Sequence, residues 1–220
     1  MSPAEGALLG LTEPVRGRLV ARHEAREVGL AAGREAIRAA ANAIRATHRD
    51  EIDRADALID EAREALQAAY RACGSFPDVL HAGFVQDAAK EVAEAVLTRA
   101  AVAGEPLPGP DEVGVDDVSW LHGLAETIGE LRRASLDHVR GGRVDEAEAA
   151  LALMQEILAA LMTIDVPDGL SRGLRRATDA GRAITERTRG DLTTAAGQRE
   201  LRRALDAHRE ALERVLDQPS

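Results

Sequence analysis

The chain has 220 residues, 45% of them apolar but only 2% aromatic, and a formal charge of −10. That length suffices to bury a sizeable core, the scarcity of β-branched runs and aromatics argues against sheet, and the acidic balance argues against non-specific polyanion binding. Charged residues break every apolar run before the roughly 18 positions a membrane span needs.

The first ten residues carry no signal-peptide pattern and Cys73 stands alone, so the expectation is a cytoplasmic chain without disulfides or membrane contact. The predicted organisation is one all-α domain over 1–220, with 1–12 and 217–220 as flexible tails. A first helix is expected from about Pro14 to Arg49, burying Leu19, Leu30, Ile37 and Ile44 and weakened locally by Gly29 and Gly33. A second follows from about Glu51 to Cys73 on Ile52, Ile59, Leu66 and Tyr70, and Gly74 stops it. Ser75-Phe76-Pro77 opens the third, which ends near Gly104.

Three prolines and two glycines make Glu105 to Asp116 an ordered loop, after which Asp116 or Asp117 caps a fourth helix that runs to about Arg140. It buries Leu121, Leu124, Ile128 and Leu131, and Gly141-Gly142 closes it. A fifth helix, capped by Asp145, packs Leu151, Met154, Leu158 and Leu161. A sixth starts at Asp165-Val-Pro167-Asp and ends near Gly190; a seventh spans about Thr194 to Leu216 with Leu201, Leu205, Leu212 and Leu216 in a row.

Two acidic runs interrupt these apolar patterns, Glu91-Val-Ala-Glu94 and Glu126-Thr-Ile-Gly-Glu130. At about 100° per residue, Asp87, Glu91 and Glu94 share a stripe roughly 60° wide, from which Lys90 projects away. Like charges at this spacing repel, and a divalent cation held by carboxylate oxygens would relieve them. The bland alternative is a solvated helix face, since the chain holds 38 acidic residues and Arg133 is placed to pair with Glu130.

All but one of the 28 basic residues are Arg, Lys90 being the exception. Arg22, Arg34, Arg38, Arg45 and Arg49 lie along the first helix with His23 and His48 nearby, either as a positive strip for phosphates or as a face paired with Glu24, Glu27 and Glu35. Only Tyr70, Phe76, Phe84 and Trp120 could stack on bases, so sequence-specific readout is not expected. Neither the cysteine nor the six histidines show zinc-type spacing.

Ala21-Arg-His-Glu24, Gly33-Arg-Glu35, Thr47-His-Arg49, Lys90-Glu-Val-Ala-Glu-Ala95, the long segment Val118 to Arg132 and Thr188-Arg-Gly-Asp191 together resemble the translin family, over roughly residues 20 to 192. Within it they are similar to the catalytic branch of translin-associated factor X and its archaeal relatives. The resemblance implies a single seven-helix bundle that assembles into a closed homo-oligomer, typically an octamer, and handles single-stranded RNA or DNA.

In the catalytic branch, carboxylates cleave RNA with Mg²⁺ or Mn²⁺. Carried over, these fall on Glu91, Glu94, Glu126 and Glu130, and Glu126 stands where the family usually has Asp. Translin proper carries a His and Arg cluster at the start of the acidic helix, where this chain offers little beyond His81. The expected function is therefore a metal-dependent endoribonuclease, with Arg22, Arg34, Arg38, Arg49 and His81 as candidates for nucleic-acid binding. A non-catalytic single-strand-binding oligomer and a helical protein-interaction module are the alternatives.

Overall fold

A computed structural model of the chain describes residues 3–216 and the side chains of 8–214. Every regular element among them is α-helical: α1 Pro3–Thr47, α2 Ile52–Cys73, α3 Pro77–Leu80, α4 Phe84–Ala103, α5 Pro110–Val113, α6 Asp117–Arg140, α7 Val144–Met162, α8 Asp168–Ser171 and α9 Leu174–Leu216. Two compact units divide at Thr127 and Ile128, within α6. The tail expected at 217–220 lies outside the described residues, and most of 1–12 belongs to α1.

In the first unit α1 packs against α2 and α4. The seam is lined by small side chains: Ala36, Ala39, Ala40 and Ala43 of α1, Ala55, Ala62 and Ala69 of α2, and Ala88, Ala89 and Ala95 of α4 are all buried. Alanine favours the helix intrinsically and lets backbones approach closely, so this seam is built mainly from small side chains. The buried face of α1 therefore differs from the expected one. Ile44 is buried, but Leu19 is 56% exposed, because the N-terminal half of α1 extends beyond the residues that pack on it. Pro14 lies inside α1, where it forgoes one backbone hydrogen bond in an exposed stretch.

Gly29 and Gly33 serve this packing. A Cβ on Gly29 would stand 2.3 Å from the buried Cys73 Sγ and 3.4 Å from the Phe84 ring, and one on Gly33 would be 3.7 Å from Ala88 Cβ. Burial pushes the Cys73 thiol pKa up, so it behaves as a small apolar group. Gly29→Ala should therefore lower unfolding stability by about 1–3 kcal/mol despite a helix-propensity gain of about 1 kcal/mol. Urea unfolding checks it, and the loss should shrink in a Cys73→Ala background; an equal loss there would mean the thiol is not the obstacle.

The expected third helix is two. Gly83 adopts φ of +87°, its N–H donates to Gln86 Oε1 at 3.0 Å, and Gln86 Nε2 donates to the Leu80 carbonyl at 3.0 Å, which fastens the break between α3 and α4. At the other end, Gly104 at φ of +70° closes α4 as its position predicts. Arg99 ties α4 to α2, with Nε and Nη2 donating to the two oxygens of Asp56 at 2.7 and 3.0 Å and Nη1 paired with Glu105. The loop after α4 carries the single turn α5 and is anchored by Trp120 Nε1 donating to the Pro108 carbonyl at 3.0 Å. Asp116 caps α6 by accepting from the Ser119 N–H at 3.0 Å.

In the second unit α7 packs against α9. Helix α7 begins at Val144, so Asp145 lies in its first turn, where it favours the helix dipole without capping it. The expected sixth and seventh helices form one helix, α9, preceded by the short turn α8. Gly190 does not end it. Arg132 Nη1 and Nη2 donate to Thr188 Oγ1 at 3.0 Å and Asp191 Oδ2 at 2.9 Å, bracketing the glycine and holding it helical where a turn was expected. No described helix is long and apolar enough to cross a membrane.

Candidate active site

Helix α4 turns Val85, Ala88, Val92 and Val96 inward and leaves Asp87, Glu91 and Glu94 on a more open side, as the 3.6-residue period requires. Helix α6 reaches α4 through a glycine. An ideal Cβ on Gly123 would lie 2.6 Å from Ala93 Cβ and 2.8 Å from the Glu94 backbone nitrogen, so the contact exists only because that side chain is missing. One turn further along α6, Glu126 reaches back to α4.

What it meets there is Lys90. The ammonium lies 3.0 Å from Glu91 Oε1 and 3.7 Å from Glu126 Oε1. Burial alone lowers the Lys90 pKa, but the hydrogen bond that the ammonium donates to Glu91 and the fields of Glu91, Glu126 and Glu94 outweigh it and raise the pKa above the ordinary lysine value. Lys90 does not project away from the acidic stripe, as the helical projection had it. Its four-carbon stem folds across the narrow angle separating it from Glu94, toward the α6 contact, and supplies the positive charge that the carboxylates lack within their own stripe.

Of the four expected carboxylates, Glu91 and Glu126 thus converge on one cation, with Glu94 within its field. Glu130 stands one turn beyond Glu126 on α6 and pairs there with Arg133 at 3.8 Å. Among the described residues no three His, Cys, Asp or Glu side chains stand close enough together to hold a metal ion as they are. The donors are nonetheless all carboxylate oxygens, the type that Mg²⁺ and Mn²⁺ prefer, and the place between two of them is held by a monovalent ammonium.

A second feature escaped the sequence pattern. Thr98 is fully buried, one turn beyond Glu94 on the same stripe as Glu91 and Glu94, and its hydroxyl has no hydrogen-bond partner among the described residues. The buried Thr47, Thr127, Thr178, Thr185 and Thr188 all donate to the carbonyl four residues back. Thr98 breaks that habit.

The expected phosphate contacts are mixed. Arg22 pairs with Asp78 at 3.3 Å and Arg38 with Glu35, whereas Arg34 and Arg49 are exposed and carry no ion pair among the described residues. His81 is exposed, its Nδ1 lying 3.3 Å from Gln86 Nε2.

No protein-family profile matches the chain. A curated relative, an uncharacterized protein of Methanocaldococcus jannaschii, is 28% identical over 178 residues, covering 80% of this chain and 78% of the relative. The structure of AfC3PO in complex with duplex RNA matches with a TM-score of 0.79 at 31% identity, over 85% of this chain and 97% of that one. A crystal structure of AfC3PO matches at 0.77 and 30% over the same shares. Apo-NeC3PO, at 0.74 and 18% identity over 89% and 98%, shares the fold.

Proposed function

The chain belongs to the translin family, with its all-helical fold, and from that premise we propose that it is a metal-dependent endoribonuclease acting on single-stranded RNA within a cytoplasmic homo-oligomer, an octamer in the form we favour. The observation that carries this reading is the convergence of Glu91 and Glu126 on one cation across the Gly123 contact. Glu91, Glu94 and Glu126 are the residues that would hold Mg²⁺ or Mn²⁺, and Glu130 is the fourth carboxylate of the set. The ion, when bound, stabilises charge on the phosphate and lowers the pKa of a water. The protein contributes the carboxylates that orient the ion and one that accepts the water's proton, and the exposed Arg34 and Arg49 are our candidates for holding the RNA backbone.

RNA binding is supported by the likeness to AfC3PO, whose structure was determined with duplex RNA. Self-association is supported by two exposed apolar rows, Leu8, Leu11, Val15 and Leu19 on α1 and Leu201, Leu205 and Leu212 on α9, which a lone subunit would leave in water.

Labelled single-stranded and duplex RNA incubated with the purified protein in Mg²⁺, in Mn²⁺ and in EDTA test the proposal. Single strands should be cut in either metal and left whole in EDTA; turnover in EDTA, or none in any buffer, would overturn it. One observation favours a second reading, an oligomer that binds RNA or DNA without cutting: the Lys90 ammonium already pairs with Glu91 and Glu126 and offsets part of their charge. That reading predicts salt-sensitive binding with no product in metal.

A further inference from the structure

Lys90 is the only lysine in a chain with 28 basic residues. The two cations differ in a way that matters here. An Arg fork grips carboxylates bidentately and stays, whereas an ammonium is a compact point charge on a flexible stem, interchangeable with another small cation. The single exception to the arginine rule sits between Glu91 and Glu126.

We propose that Lys90 is the resident counter-cation of this site, displaced when a divalent ion binds Glu91 and Glu126, and that the displaced ammonium then holds a phosphate oxygen of the RNA. This rests on the nuclease reading and adds to it a residue that positions the substrate. Three observations support it. The ammonium touches both carboxylates of the α4–α6 contact, at the spot where an ion shared by them would compete with it. Glu126 is 51% exposed, so an ion reaches the pair from solvent without any helix moving. Independently, the fully buried Thr98 hydroxyl, one turn beyond Glu94 on the same stripe, has no hydrogen-bond partner among the described residues.

Displacement does not send Lys90 far. Its backbone adjoins Glu91, so the ammonium remains within the reach of its stem from any ion bound there, and a phosphate is the anion that the proposed substrate brings to that spot. In the free protein the lysine therefore suppresses the repulsion of empty carboxylates, and in the loaded one it offers a second positive charge beside the ion.

Because the chain has one lysine, incorporation of lysine labelled with ¹³C at Cε and ¹⁵N at Nζ yields a single side-chain signal from the intact oligomer. Titration with Mg²⁺ should move that signal saturably, with the same midpoint as calorimetric Mg²⁺ binding, and an uncleavable 2′-fluoro single-stranded RNA should move it again. Lys90→Met should bind Mg²⁺ about tenfold tighter than the wild type, as expected when a competing cation is removed. The same variant should bind that RNA in Mg²⁺ with a log–log salt slope smaller by about one, the signature of a lost phosphate contact. Lys90→Arg should bind Mg²⁺ more weakly than the wild type.

Saturable Mg²⁺ binding with an unmoved lysine signal, or unchanged or weaker Mg²⁺ affinity in Lys90→Met, overturns the displacement and leaves the nuclease reading standing. An unaltered RNA salt slope overturns the phosphate contact. Absence of Mg²⁺ binding in both proteins overturns the nuclease reading and this inference together.

Discussion

If the chain is the nuclease proposed, Glu94→Gln is expected to reduce RNA cleavage by about 10²–10³-fold while the assembly and the fold persist. The substitution keeps the shape of the side chain and removes one negative charge. Glu94 contributes to the field at Lys90, beside Glu91 and Glu126, and its backbone nitrogen forms part of the floor against which α6 rests at Gly123. Its carboxylate therefore belongs to the group of charges that any cation at this site must meet. Cleavage is measured on single-stranded RNA at saturating Mn²⁺, with sedimentation for the assembly and circular dichroism for the fold. Wild-type rates would remove Glu94 from the site; loss of the assembly would reassign the residue to structure.

Gly123→Ala is expected to damage both stability and activity, although the same change in an exposed helix interior is favourable. The new methyl would need to lie 2.6 Å from Ala93 Cβ and 2.8 Å from the Glu94 nitrogen. A backbone atom cannot rotate away, so α6 must move off α4. We expect a net loss of about 1–3 kcal/mol from the overpacking.

Moving α6 also carries Glu126 away from Lys90 and Glu91, so cleavage should fall further than the loss of folded protein explains. Gly129→Ala, on the same helix, is the internal control. A Cβ there meets nothing within 4 Å, so this variant should be neutral or more stable by about 0.5–1 kcal/mol. Urea unfolding of the two variants in parallel measures the contrast. Equal effects would mean that the α4–α6 approach does not limit anything.

The two substitutions separate chemistry from placement. Glu94→Gln alters charge at fixed geometry, and Gly123→Ala alters geometry at fixed charge. If activity depends on the carboxylates converging, both should lower it, and only the second should change the unfolding midpoint strongly.

Several elements were legible from the chain alone because their causes are local. The stop at Gly104, the cap at Asp116, the α2 face of Ile59 and Leu66, and the i, i+3 spacing of Glu91 and Glu94 each depend on residues within about one turn. Misjudged features depend on distant residues. Gly190 reads as a stop until Arg132 bridges Thr188 and Asp191 around it, and Gly29 reads as a weak point until Cys73 and Phe84 fill the space beside it. Leu19 satisfies the apolar period of α1 and remains exposed, because periodicity identifies a face without saying what covers it.

The amino-acid sequence by itself determined that this protein is helical, where helices such as α2 and α6 start and stop, and that acidic pairs recur at one-turn spacing, because 3.6-residue periodicity and capping act over a few neighbouring residues. Tertiary structure alone decided that Gly123 brings α6 onto α4, that Glu126 therefore meets Glu91 across the contact, and that Lys90 bends between them. The reason is geometric. A long charged side chain leaves its helix at a known angle but ends wherever packing and opposite charge take it, and both are set by a helix that lies more than thirty residues away in the chain.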